Sequence, residues 1–167
     1  PVRMGSKRLP NKNILPIKNI PMFVFVARNL MKSKFNLNIF VSSESEKIRN
    51  ICNKSNLNYI KRPKKLSNDL VEKQEVIVHA TKFLKTKHNY IPKTVISLQA
   101  NTPEFKSRDL DKALEFFNKK LYVRKPIKEL ISVNPDNVQN GAFRILTYNA
   151  VFQKTLSIEE TNGTQER

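Results

Sequence analysis

Short β-branched runs alternate along this chain with longer stretches of helical period, and that alternation restricts it to a crossover architecture. The clearest strand is TVISLQ at 94–99, apolar almost throughout, as a strand covered on both faces must be. NIFVSS (38–43), LNYIK (57–61), ELISV (129–133) and GAFRIL (141–146) are further strand candidates. Helical signatures lie between them. PMFVFVARNLM (21–31), interrupted only by Arg28, reads as a buried helix. Ser43 and Glu46 have capping-box spacing ahead of a helix whose apolar face is Ile48, Ile51 and Cys52. Asp69 and Glu72 can cap a second, striped by Ile77, Ala80, Thr81 and Leu84. Ser107 is placed to cap a third, with Asp109 and Asp111 at its positive end and Leu110, Ala113, Leu114 and Phe117 turned inward. NAVFQKTL (149–156) reads as a short helix. Strands separated by helices of about 10–15 residues make crossover units, so the class is α/β with a mainly parallel sheet.

At 167 residues the chain can bury one core, and 1–167 is read as a single domain. The first strand of such a domain is expected to begin ahead of Pro1, and TNGTQER does not read as a finished end. The domain is therefore expected to be incomplete at both ends. No apolar run approaches the roughly 18 residues that span a bilayer, and no signal-peptide pattern opens the chain. The lone Cys52 has no internal partner, sits among apolar neighbours and reads as core, consistent with a reducing, cytoplasmic setting.

The net charge of +17 invites a nucleic-acid reading. Two features count against it. The cations are mostly lysine (22 Lys to 9 Arg) beside 19 asparagines, a composition that base bias in the coding sequence produces unaided. They are also dispersed, so an anionic small substrate is equally served. His79 falls within a helical stretch and reads as packed or surface, while His88 has no second ligand near it; no His/Cys cluster has zinc spacing.

In open α/β sheets ligands bind beyond the carboxyl ends of the strands, so the loops there are informative. RMGSKRLPNKN (3–13), RPKKLSND (62–69) and ANTPEFK (100–106) would share one rim. In the first, Gly5 allows a turn with exposed amides, Ser6 adds a hydroxyl, and Arg3, Lys7, Arg8 and Lys12 surround them. Phosphate oxygens suit such a mixture, and so does a solvated basic turn. The loop is neither a Walker loop nor a dinucleotide fingerprint.

The order of residues says more. RMGSKRLPNKN resembles the signature loop of the acylneuraminate cytidylyltransferases, matching at Arg3, Ser6, Lys7, Lys12 and Asn13. Arg62-Pro63 followed by LSND, SLQANTPEF (97–105) and NGAF (140–143) resemble three more family motifs, in the family's order, over 1 to about 156. The resemblance implies a three-layer Rossmann-like nucleotidyltransferase fold and transfer of CMP from CTP to an acidic nine-carbon, sialic-acid-like sugar, with release of pyrophosphate. It implies that Arg3, Met4, Gly5, Ser6, Lys7, Lys12, Asn13, Arg62, Ser67 and Asp69 bind the nucleotide, with Lys12, Arg3 and Lys7 catalytic. Gln99, Asn101, Thr102 and Asn140 would face the sugar. It also implies magnesium, whose aspartate ligands are not seen in this chain, and a homodimer. Relatives that activate the eight-carbon Kdo sugar carry Gln-Gly-Asp-Glu-Pro where this chain has LQANTPEF, so the sialic-acid-like branch fits better. A Kdo-type enzyme and an inactive nucleotide-binding homologue are the alternatives.

Overall fold

A computed structural model describes residues 1–5, 9–68, 70–136 and 139–153. The opening loop passes through a 3-10 turn, Lys12–Ile14, into a small antiparallel hairpin of β1 (Pro16–Ile17) and β2 (Ile20–Pro21). Lys18 and Asn19 both have positive φ, the two-residue reversal that matches strand twist. No apolar period announces strands this short. Pro21 ends the hairpin and leads into α1 (Met22–Leu30), which buries Phe23, Val24, Val26 and Ala27 on one face.

β3 (Phe40–Ser43) and β4 (Asn58–Lys61) pair in parallel across the crossover helix α2 (Glu46–Lys54). The cap of α2 is Ser45, whose Oγ accepts the Ile48 N–H (3.4 Å), and not Ser43. Ser43 is still extended and paired with Lys61 at the buried end of β3, so the helix cannot begin until Glu46. A turn at Lys64–Leu66 leads to α3 (Lys73–His88), with Glu72 at its cap position making no side-chain cap bond; Asp69 lies outside the described residues.

β5 (Thr94–Leu98), α4 (Ser107–Lys120), β6 (Glu129–Val133) and β7 (Gln139–Thr147) come next, followed by a turn at Asn149–Phe152. Lys106 occupies the cap position of α4 without a side-chain bond; Ser107, read as the cap, is already in the first turn. The order β5-β7-β6 is antiparallel throughout, so the sheet is more mixed than the crossover pattern alone suggests. Helices cover both faces. Val95 packs with Ile77 and Val78 of α3, while Ile96 and Leu98 pack with Leu110, Leu114 and Phe117 of α4 and with Leu30 of α1. A third cluster joins α1, α2 and β3 through Phe23, Val41, Ile48 and Cys52. Burial pushes the Cys52 thiol up to about 11, which suits a core residue and not a nucleophile.

The chain has three glycines, and asparagine takes the left-handed corners instead: Asn11, Asn19, Asn56 and Asn89 all have φ between 47° and 63°. Asn89 closes α3 in this way, and the Tyr90 N–H after it donates to the Leu84 carbonyl (3.1 Å).

Candidate active site

The opening loop is fastened at three points. The Val2 N–H donates to the Ser42 carbonyl (2.9 Å), the Met4 N–H donates to Glu44 Oε1 (3.2 Å), and Asn13 Nδ2 donates to the Arg3 carbonyl (2.8 Å). The last bond draws the two ends of the loop together and explains why Asn13 is buried. Ser6 and Lys7 lie outside the described residues. Gly5 does not need a left-handed backbone, and a Cβ there would meet nothing within 4 Å, so its surroundings are open.

Arg62 underpins this loop from the end of β4. Its Nη2 donates to the Val2 carbonyl (3.0 Å) and to Glu44 Oε2 (2.7 Å), and its Nε donates to Ser67 Oγ (3.1 Å). The Arg62 side chain is 4% exposed and that of Glu44 17%. Burial opposes ionisation of Glu44. The Arg62 hydrogen bond, backbone donors including Met4 and the guanidinium charge outweigh it and hold the carboxyl below the usual range. A buried pair of this kind fixes posture more than it adds stability.

Beyond Leu98 the chain turns twice. Thr102 Oγ1 donates to the Gln99 carbonyl (2.7 Å) and the Phe105 N–H to the Thr102 carbonyl (3.1 Å), anchoring buried Phe105 edge-on to Phe143. This turn carries Gln99 and Asn101.

The three loops read as one rim do converge. A cavity of about 500 Å³ is lined by Arg3, Gly5, Lys12 and Asn13 from the first, Arg62, Ser67 and Asn68 from the second, and Gln99 and Asn101 from the third. Met4, Thr102 and Asn140 are not on its wall. Met4 packs against the first core cluster, Thr102 is committed to its turn, and Asn140 Oδ1 accepts from Ser132 Oγ (2.6 Å) and the Ala142 N–H (2.9 Å).

The sequence profile of the Cytidylyltransferase family matches residues 1–162. The chain belongs to that family. Its α/β fold is the family's Rossmann-like nucleotidyltransferase fold. A cytidylyltransferase from Leptospira borgpetersenii serovar Hardjo-bovis superposes with a TM-score of 0.68 at 27% identity, covering 89% of this chain and 58% of that one. The N-acylneuraminate cytidylyltransferase of Streptococcus agalactiae serotype V is 28% identical over 120 residues, 71% of this chain and 28% of the relative. The pseudaminic acid cytidylyltransferase of Campylobacter jejuni serotype O:23/36 is 30% identical over 118 residues, 70% of this chain and 50% of the relative. The matched segment thus spans between about a quarter and half of these curated relatives.

In this cytidylyltransferase-family chain the cavity has a second wall that the motifs did not include. Lys73 at the start of α3, Glu129, Ile131 and Ser132 of β6, and Phe143 and Arg144 of β7 complete it. Arg144 is bound through Nε to Glu129 Oε1 and through Nη1 to Gln74 Oε1 (2.6 Å). Glu129 is buried, and its Oε2 has no hydrogen-bond partner among the described residues. The ladder register breaks between Ile131 and Val133, a bulge-like irregularity that re-aims Ser132. Both charges were visible in the sequence as ionic residues inside otherwise apolar strands, ELISV and GAFRIL.

Among the described residues no three His, Cys, Asp or Glu side chains are grouped to hold a metal. Asp111 is committed elsewhere, accepting from Ser33 Oγ and the Lys34 N–H (3.2 Å). The described residues thus offer no ready-made carboxylate cluster for a divalent cation. No helix among the described residues is long and apolar enough to cross a membrane.

Proposed function

We propose that this chain transfers CMP from CTP to a nonulosonic, sialic-acid-like sugar, releasing pyrophosphate. One observation carries the reading: the loop at 3–13 lines a single cavity with the loops after β4 and β5, cations on one side and polar groups on the other. The sugar hydroxyl oxygen attacks the α-phosphorus, the bond from that phosphorus to the bridging oxygen breaks, and the hydroxyl proton leaves to solvent. Such a reaction asks the protein chiefly for positioning and charge neutralisation. Arg3 and Lys12, with Lys7 and Ser6 from the same loop, would hold the triphosphate, and Lys12 would offset the charge that grows on the departing pyrophosphate. Asn13, Arg62 and Ser67 would frame the nucleotide, Arg62 by holding the loop in place. Gln99 and Asn101 would meet the acceptor, with Thr102 and Asn140 shaping the turns beside them. The buried Cys52 thiol suits operation in the cytoplasm, and a homodimer is the assembly we propose.

The experiment is pyrophosphate release from CTP with magnesium across a panel of sialic, legionaminic, pseudaminic and Kdo sugars. Turnover with a nine-carbon acid supports the proposal, and preference for Kdo moves the chain to the other branch. Silence across the whole panel overturns it. CTP binding that persists under that silence would mark an inactive homologue.

A further inference from the structure

On the wall of the cavity built from β6 and β7, one buried acid is only half satisfied. Glu129 is 7% exposed. Its Oε1 accepts from Arg144 Nε, while its Oε2 has no hydrogen-bond partner among the described residues. A carboxylate oxygen kept from water without a donor is costly, and buried polar atoms in folded chains are normally paired.

Strand register limits where the missing donor can come from. Glu129 stands opposite Leu146 of β7, which is fully buried and clusters with Ile77, Ala150 and Val151, so that side is apolar. The Ser132 hydroxyl is committed to Asn140 Oδ1 and the Phe143 backbone. Arg144 is held on Oε1 by Gln74, whose Oε1 accepts from Arg144 Nη1 (2.6 Å) and whose Nε2 donates to the Val151 carbonyl. The side that remains is the cavity, which Glu129 lines.

The same register decides what lies beside the acid there. Glu129 and Ile131 are two residues apart on β6 and share a face. Ile131 pairs with Arg144, and Arg144 pairs with Ser97 of β5. Ser97, Arg144 and Ile131 thus form one row across the sheet, with Glu129 next to it, and all four line the cavity. Arg144 already supplies the countercharge, so the donor that Oε2 lacks is a neutral one. Beside that donor the wall offers the aliphatic carbons of Ile131.

We propose that Glu129 is a specificity-determining residue: its Oε2 accepts the N–H of an acylamido substituent on the acceptor, and the acyl carbons of that substituent rest on Ile131. This rests on the reading of the chain as a transferase acting on acidic sugars, and it names the group of the sugar that the second wall selects. A hydroxyl alone would satisfy the oxygen but leave Ile131 against water. An acylated nitrogen uses both. The negative charge of Glu129 also keeps the acceptor's own acid group away from this part of the wall.

The test uses two nine-carbon acids that differ at one carbon, where one carries an acetamido group and the other a hydroxyl, and it measures pyrophosphate release from CTP. The unaltered chain should favour the acetamido acid by about tenfold or more in kcat/KM. In Glu129→Gln, Arg144 retains an oxygen partner and an NH2 takes the place of Oε2, which opposes an N–H but can still donate to a hydroxyl. The preference should then fall to about twofold or less, with KM for CTP unchanged. Ile131→Ala keeps the acid, and should cut the preference by about threefold or more through the acetamido acid alone. Equal kcat/KM for the two acids overturns the inference and leaves the proposed function standing, as does a preference that survives Glu129→Gln. Silence with both acids while another sugar of the panel turns over has the same effect, whereas silence across the panel overturns both. Should Glu129→Gln fail to fold, shown by loss of CTP binding, the Ile131→Ala ratio decides, and an unchanged ratio refutes the inference.

Discussion

Around the cavity, the wall built from residues 3–13 and 62–68 differs from the wall built from β6 and β7 both in charge and in what holds it. The first presents Arg3, Lys12 and Arg62, and is fastened by side chains gripping backbone: Asn13 on the Arg3 carbonyl, Glu44 on the Met4 N–H, Arg62 on the Val2 carbonyl. The second presents Ser132, Arg144 and the carboxylate of Glu129, and is fastened by an antiparallel ladder with a break in register. A polyanion suits the first wall. A ligand rich in hydroxyls, carrying one acid group, suits the second. The difference teaches that the two halves of one site can be written in different codes, one contiguous in sequence and one set by strand register.

The comparison breaks most visibly at Arg62. Arg62→Ala leaves the Glu44 carboxylate partly buried and unpaired, and should cost about 3–5 kcal/mol in urea denaturation. A loss under 1 kcal/mol would mean that the first wall is not held as described. Lys12→Ala should leave that denaturation curve in place and lower kcat by at least about 10²-fold, as the loss of one charge-stabilising group does. Unchanged turnover removes its assigned role. On the other wall, Glu129→Gln keeps the shape but changes the acceptor with the orphan oxygen. It should raise KM for the sugar by about tenfold with KM for CTP unchanged, and a matching rise in both would show that the two walls are not separate in function. The smallest effect is with pH. Because the Glu44 pKa is held down in the fold, its stabilising contribution is complete above the ordinary carboxylate range and disappears as pH falls through the lowered value. Glu44→Gln should therefore flatten the acid limb of a stability–pH curve, and an unchanged limb would place the acid sensitivity elsewhere.

Helix positions were legible because their apolar stripes repeat locally. Leu110, Leu114 and Phe117 face inward as the period requires, and Ile48 with Cys52 likewise. Strand direction was not legible, since a run such as TVISL records burial on two faces and says nothing of which neighbour it pairs with. The shift from Ser43 to Ser45 as cap has a similar origin: spacing marks Ser43, and only the ladder with Lys61 shows that Ser43 is still extended. The convergence of the loop at 3–13 with Arg62, Ser67, Gln99 and Asn101 could be anticipated from the rule about strand ends. Glu129, Ser132 and Arg144 could not, because the register that brings them to the cavity is fixed by pairing between segments distant in sequence.

The asparagines at the left-handed corners carry a consequence for how such a chain evolves. Drift of codons toward adenine and thymine depletes glycine and enriches lysine and asparagine. Of the residues so favoured, asparagine tolerates positive φ at small cost. Asn11, Asn19, Asn56 and Asn89 thus let a fold that needs sharp reversals form in a chain with only three glycines. Backbone geometry and an asparagine-rich composition meet at four positions, none of which lines the cavity.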